Sequence, residues 1–132
     1  MSGTDEFAAI ARLFRPLPRG APEALGLLDD AAVIAPRPGH DLVVTKDAVV
    51  EGVHFPIGEA PDLVARKLLR VNLSDLAAKG AEPYGYFLAV SWPASWDEAA
   101  RAAFVRGLDE DGMDFGLVLL GIALALVWAL MR

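Results

Sequence analysis

Cysteine is absent from the 132 residues, which excludes disulfides and thiolate metal sites and leaves the redox compartment open. Positive charge is in deficit: 12 Lys and Arg stand against 18 Asp and Glu, for a formal charge of −6. That balance argues against nucleic acid or an anionic membrane surface as the main partner, and it fits a soluble protein whose acids hold cations. The opening residues MSGTDEFAAIARLF carry acids early and have no apolar signal core, so no export signal is visible and a cytoplasmic location is expected. The dispersed glycines (Gly20, Gly26, Gly39, Gly52, Gly58, Gly80) compose neither a Walker pattern nor a GxGxxG fingerprint, so neither of those nucleotide folds is supported. The length suits one domain with a real core and is short for a complete enzyme with two substrates.

What is present alternates between the helical and the extended period. TDEFAAIARLF places Phe7, Ile10 and Phe14 on one helical face behind Thr4 as N-cap, and RPLPRGAP breaks that helix. AAVIAP predicts a short strand, and the β-branched run HDLVVTKDAVVEGVHF predicts one or two more. Asp62 is the expected cap of a helix over 62–79. PYGYFLAVSWP predicts a buried strand, Ser95 and Glu98 have capping-box spacing for a helix to about Leu108, and FGLVLL predicts a last strand. Interleaved strands and helices give an α/β or α+β class.

Residues 115–131, FGLVLLGIALALVWALM, carry no charged or polar side chain. A bilayer span needs about 20 apolar residues, with a range of roughly 17–25, so this run sits at the lower edge. One reading is a C-terminal membrane anchor; the other is a buried strand, GLVLL, followed by an apolar segment.

The helix over 62–79 sets the chemical question. At 100° per residue, Arg66, Lys67, Arg70 and Ser74 form a wet face, while Val64, Ala65, Leu68, Leu69, Val71, Leu73 and Leu76 fill the opposite arc. Asn72 lies near the middle of that arc and Asp75 well inside it. A buried carboxylate needs a partner: a base, a set of backbone N–H groups or a metal ion. Asp29 and Asp30 stand directly before one expected strand, and Thr45 and Asp47 end another, followed by Glu51 and His54. Carboxylates converging on one cleft repel unless a cation sits between them, and hard oxygen donors without cysteine point to Mg²⁺ held between carboxylates and phosphate oxygens. A phosphorylated ligand, most often a nucleotide, is implied. His40 follows RPG in a turn and is expected at the surface.

EFAAIARLF, LGLLDDAAVIAP, HDLVVTKDAVVEGVHF, ARKLLRVNLSDLAAKGAEPYGYFLAVSWP and FVRGLDEDGMDFGLVLLG together resemble the N-terminal half of the thiamine-monophosphate kinase family, over about residues 5–121 and in order. That family lies in the PurM-like superfamily of aminoimidazole ribonucleotide synthetase. NLSDLAAKGAEP and DAVVEGVHF carry most of the discrimination.

The resemblance implies an α+β fold, a PurM-like N-terminal domain with a mixed β-sheet and helices packed on one face. It implies transfer of the ATP γ-phosphoryl to thiamine monophosphate, with Mg²⁺ bridging the phosphates. By matched position Asp30, Thr45, Asp47 and Asp75 are metal ligands and His54 contacts the thiamine phosphate; Asn72 is read as a support behind them. A homodimer through the sheet is implied as well. The match departs at Leu28 and Lys46, where the family usually has Gly and often Thr, and at LLGIALALVWALMR, where it continues into a Gly-Gly-Asp-Thr motif. The expected organisation is thus an ATP- and Mg-binding domain over 1–121 and an atypical apolar tail over 122–132, the C-terminal domain being absent. The chain then reads as a truncated N-terminal fragment with impaired activity. The alternatives are a non-catalytic dimerisation or regulatory module and a tail-anchored membrane protein.

Overall fold

The computed structural model describes residue 8 and residues 11–27 and 31–124. After a short 3-10 helix at Pro22–Leu27, the longer regular elements are helix α1 (Pro61–Ala78), strand β1 (Gly85–Val90), helix α2 (Glu98–Phe115) and strand β2 (Val118–Leu124). The class is α+β. Among the described residues the sheet is two parallel strands rather than a mixed sheet, with α2 as the crossover between β1 and β2.

Helix α1 starts behind Ala60, which has no side-chain cap bond; Pro61 supplies the preset φ of a first helical position. Asp62 is therefore not the cap. It sits in the first turn, where its charge complements the helix dipole. Helix α2 is capped by Asp97, whose carboxylate accepts from the Ala100 N–H at 2.9 Å. The expected Ser95–Glu98 box does not form, because a turn closed by the Trp96 N–H on the Pro93 carbonyl at 2.9 Å takes up those residues. Replacing Asp97 by alanine is expected to lower stability by about 1 kcal/mol, read from the urea midpoint. Helix α2 also runs a full two turns past Leu108, to Phe115, and stops at Gly116 in the left-handed region (φ 70, ψ 31).

The two helices meet at small residues. A Cβ built on Gly107 would lie 2.5 Å from the Asp62 carbonyl oxygen and 3.0 Å from the Ala65 Cβ. One turn further along α2, the fully buried Asp111 accepts from Arg66 at 2.6 Å and from Arg70 at 2.7 and 2.9 Å. Arg66 also pairs with Glu110, and the Arg70 guanidinium lies 5.7 Å from the Phe115 ring centre. The face of α1 expected to be wet is thus in part a helix–helix interface, because charges on α2 meet it.

Leu108, Leu117 and Leu119 join Val64, Ala65 and Leu69 of α1 in the core, together with Phe14 and Leu17 from the N-terminal region. Phe14 is buried as the helical face predicted; Thr4, Phe7 and Ile10 lie outside the described residues. Trp92 joins this core by stacking on Phe14 (centroids 6.1 Å) and meeting Phe104 edge-on (5.1 Å). In the sheet, the register slips between Tyr86 and Phe87, so Leu120 has no partner opposite it. Its side chain fills the space beside Gly85, where a Cβ would come within 2.8 Å.

One expectation fails here. The runs 31–36 and 40–55 are not strands; among the described residues they pair with nothing in a ladder apart from an isolated bridge between Glu51 and Phe55. β-Branched residues favour a pleated surface only where neighbouring strands cover them, and Val33, Val44 and Val53 stand 68%, 86% and 75% exposed. Of the two readings of 115–131, the buried strand holds along the first part: Phe115 ends α2 and 118–124 is the strand β2, with Leu119 and Leu120 buried. Residues 125–131 lie outside the described residues, among which no helix is long and apolar enough to cross a membrane. Strand β2 continues past 121, pairing Ile122 with Leu88 and Ala123 with Ala89.

Candidate active site

A cleft of about 1490 Å³ opens between the extended run that contains Thr45 and Asp47, the side of α1 that carries Asn72 and Leu76, and β1 at Phe87 and Leu88. Its walls are mainly apolar with a few polar groups, and the volume is ample for a nucleotide. The far half of the α1 apolar arc looks into this cleft rather than into packed core. Asp75 does not line the cleft and is exposed, contrary to the expectation of a buried carboxylate.

Of the residues singled out as metal ligands, Thr45 and Asp75 are brought together. The Thr45 hydroxyl donates to Asp75 Oδ2 across a long 3.4 Å. Asp47 also lines the cleft, is exposed, and accepts through Oδ1 from the following Ala48 N–H at 2.8 Å. Asp30 lies outside the described residues. Asn72 donates to the Leu68 carbonyl one turn back at 2.9 Å, so one of its amide N–H groups is taken up within α1.

Among the described residues no group of three or more His, Asp or Glu side chains is placed to hold an ion. Magnesium asks less than that of a protein. One or two carboxylates suffice when phosphate oxygens and water complete the shell. Thr45 on the cleft wall and Asp75 bonded to it at the cleft's edge, hard oxygens without sulfur, fit that partial role.

His54 is exposed and belongs to a separate tight loop, where its Nδ1 accepts from the Val50 N–H at 2.9 Å. The ammonium of Lys67 on α1 donates to the His54 carbonyl. The sequence pattern puts Lys67 on the wet face with no further role; a lone lysine gives no sequence signal that its target is a backbone oxygen 13 residues away. His40 is at the surface as expected, with Nδ1 3.0 Å from the Pro38 carbonyl.

This arrangement belongs to a known kind of domain. Residues 28–126 match the family described as AIR synthase related protein, N-terminal domain, which is the greater part of the chain. The chain belongs to this family. As an AIR synthase related domain it is similar to kinases in particular. A thiamine-monophosphate kinase of Caulobacter vibrioides is 69% identical over 116 residues, 88% of this chain and 33% of the relative. Those of Bacillus subtilis and Synechococcus elongatus are 34% and 37% identical over 98 and 94 residues, covering 74% and 70% of this chain. The domain spans about a third of the length of these curated relatives (33%, 30% and 29%).

Proposed function

We propose that the chain is the N-terminal part of a thiamine-monophosphate kinase, which transfers the γ-phosphoryl of ATP to thiamine monophosphate. The observation that carries this is the 69% identity to the Caulobacter vibrioides kinase across 88% of the chain. The cleft supports it. Phosphoryl transfer asks a protein for alignment and charge neutralisation rather than for a covalent nucleophile, and the Thr45–Asp75 pair supplies oxygens suited to that task.

In this reading Asp75, Thr45, Asp47 and Asp30 hold Mg²⁺, and His54 meets the phosphate of thiamine monophosphate. The ion neutralises phosphate charge. The protein's own part is to keep Asp75 bonded to Thr45 of the cleft wall and to close the cleft with the apolar side of α1. A homodimer belongs to the same reading, supported by Leu42, Val44 and Phe87, which are 56%, 86% and 54% exposed on the cleft side of the fold. So does a cytoplasmic location, where ATP is available.

The test is a chimera in which residues 1–121 replace the matching segment of the Caulobacter vibrioides kinase. It is expected to form thiamine diphosphate from thiamine monophosphate, ATP and Mg²⁺, and Asp75→Asn to lower kcat by about 10²–10³. The 132-residue polypeptide alone is expected to show no turnover above background. A folded but inactive chimera, or an Asp75→Asn chimera at full rate, contradicts the proposal.

A further inference from the structure

Residues 50–55 close on themselves. The Val53 and His54 N–H groups both donate to the Val50 carbonyl, at 3.1 and 2.8 Å, and the Gly52 N–H donates to the Phe55 carbonyl at 2.8 Å. Gly52 takes φ +77, which a residue with a Cβ adopts only with strain. Phe55 is buried in the core and anchors the loop from below. The ring of His54 is fixed by the loop's own backbone. A peptide N–H has only a proton to give, so the Val50 N–H makes Nδ1 the acceptor, and the neutral ring carries its proton on Nε2.

From α1, Lys67 reaches this loop. Its side chain is exposed, yet its ammonium is committed to the His54 carbonyl. An exposed lysine gives up rotamer freedom to do this, and what it gains is a charge-assisted bond to the peptide that carries the imidazole. The segment is tied to α1 at a second point, Thr45 to Asp75. Lys67 and Asp75 are separated by about 12 Å along the helix axis, at 1.5 Å per residue. The two ties are too far apart to serve one phosphoryl group.

We propose that Lys67 is a positioning residue: it holds the 50–55 loop so that His54 offers Nε2–H outward to an oxygen of a phosphate monoester, distinct from any phosphate bound at Thr45 and Asp75. The identity of that monoester as thiamine monophosphate rests on the kinase reading; the fixing of the imidazole by Lys67 does not.

Two measurements separate these. In the ¹⁵N-labelled 132-residue chain, long-range ¹H–¹⁵N correlation is expected to show His54 in the Nε2–H form. Lys67→Met should bring in the other tautomer, and Lys67→Arg should keep the first. In the chimera, Lys67→Met is expected to raise KM for thiamine monophosphate about tenfold, with KM for ATP and the melting temperature unchanged, and Lys67→Arg to restore it; tenfold corresponds to about 1.4 kcal/mol, one charge-assisted contact. If Lys67→Met leaves the tautomer as it was, or raises both KM values together, the proposal is overturned. An inactive parent chimera removes the kinase reading alone, and the tautomer experiment still decides the role of Lys67.

Discussion

Replacing Asp111 by alanine is expected to lower the stability of the chain by about 3 kcal/mol, among the largest effects of any single change at the helix interface. The carboxylate is fully buried and accepts three hydrogen bonds from two guanidinium groups. Removing it leaves Arg66 and Arg70 facing each other without an anion between them. Their side chains are 22% and 54% exposed, so water recovers part of the loss, and the figure belongs at the lower end for a broken buried pair. Replacing all three residues together by apolar ones of similar size is expected to restore most of the stability, since the desolvation of all three charges then disappears. The urea midpoints of the single and triple variants check both statements.

The same pair gives the fold an acid sensitivity of known sign. The hydrogen bonds from Arg70 first, with those from Arg66, hold the Asp111 carboxyl below the ordinary value of 3.8, against the opposing effect of burial. A carboxyl depressed in the folded state binds its proton more readily in the unfolded chain. Its contribution is therefore complete above the ordinary carboxylate range and is lost as pH falls, from about pH 5 downward. Urea midpoints measured from pH 7 to pH 3 should fall, and Asp111→Asn should flatten that fall.

Neither arginine's partner was legible in the sequence, and the reason is physical. Periodicity reports which side of a helix is apolar, so it found Val64, Ala65 and Leu69 correctly as core. It is silent on whether a charged side meets water or an opposite charge. The acidic run from Asp109 to Asp114 reads as a helix end for the same reason: its polarity is explained by what lies across it, Arg66 and Arg70 of α1 against Glu110 and Asp111, and Arg19 against Asp109. The strands β1 and β2 were legible from their apolar runs only in part: β1 is not a buried strand, since Leu88 is buried but Phe87 is 54% exposed, and β2 runs past the FGLVLL stretch to Leu124. The runs 31–36 and 40–55 have a similar composition without a ladder partner among the described residues. At the candidate site, Thr45 and Asp75 were legible as oxygen donors and do meet. The expectation that Asp75 is buried came from extending the apolar arc as far as Asp75, which is exposed and meets the Thr45 hydroxyl. Lys67 was missed because a lysine that serves a backbone carbonyl looks like any solvated lysine.

Gly107→Ala tests the helix interface from the opposite direction, because intrinsic preference and packing predict different signs. In a free helix the change stabilises by about 1 kcal/mol. Here the new Cβ meets the Asp62 carbonyl oxygen at 2.5 Å and the Asp62 Cα at 2.9 Å, both backbone atoms of α1 that no rotamer change can move aside. Helix α1 must shift, and Arg66 and Arg70 shift with it, one turn along from the contact and away from Asp111. A net loss of about 2–3 kcal/mol is expected, packing strain exceeding propensity. The loss should also be non-additive with Asp111→Ala, since the first change already loosens the bonds the second removes. A thermal or urea midpoint that rises on Gly107→Ala would mean that the two helices do not approach to this distance, and the clasp on Asp111 would lose its basis with it.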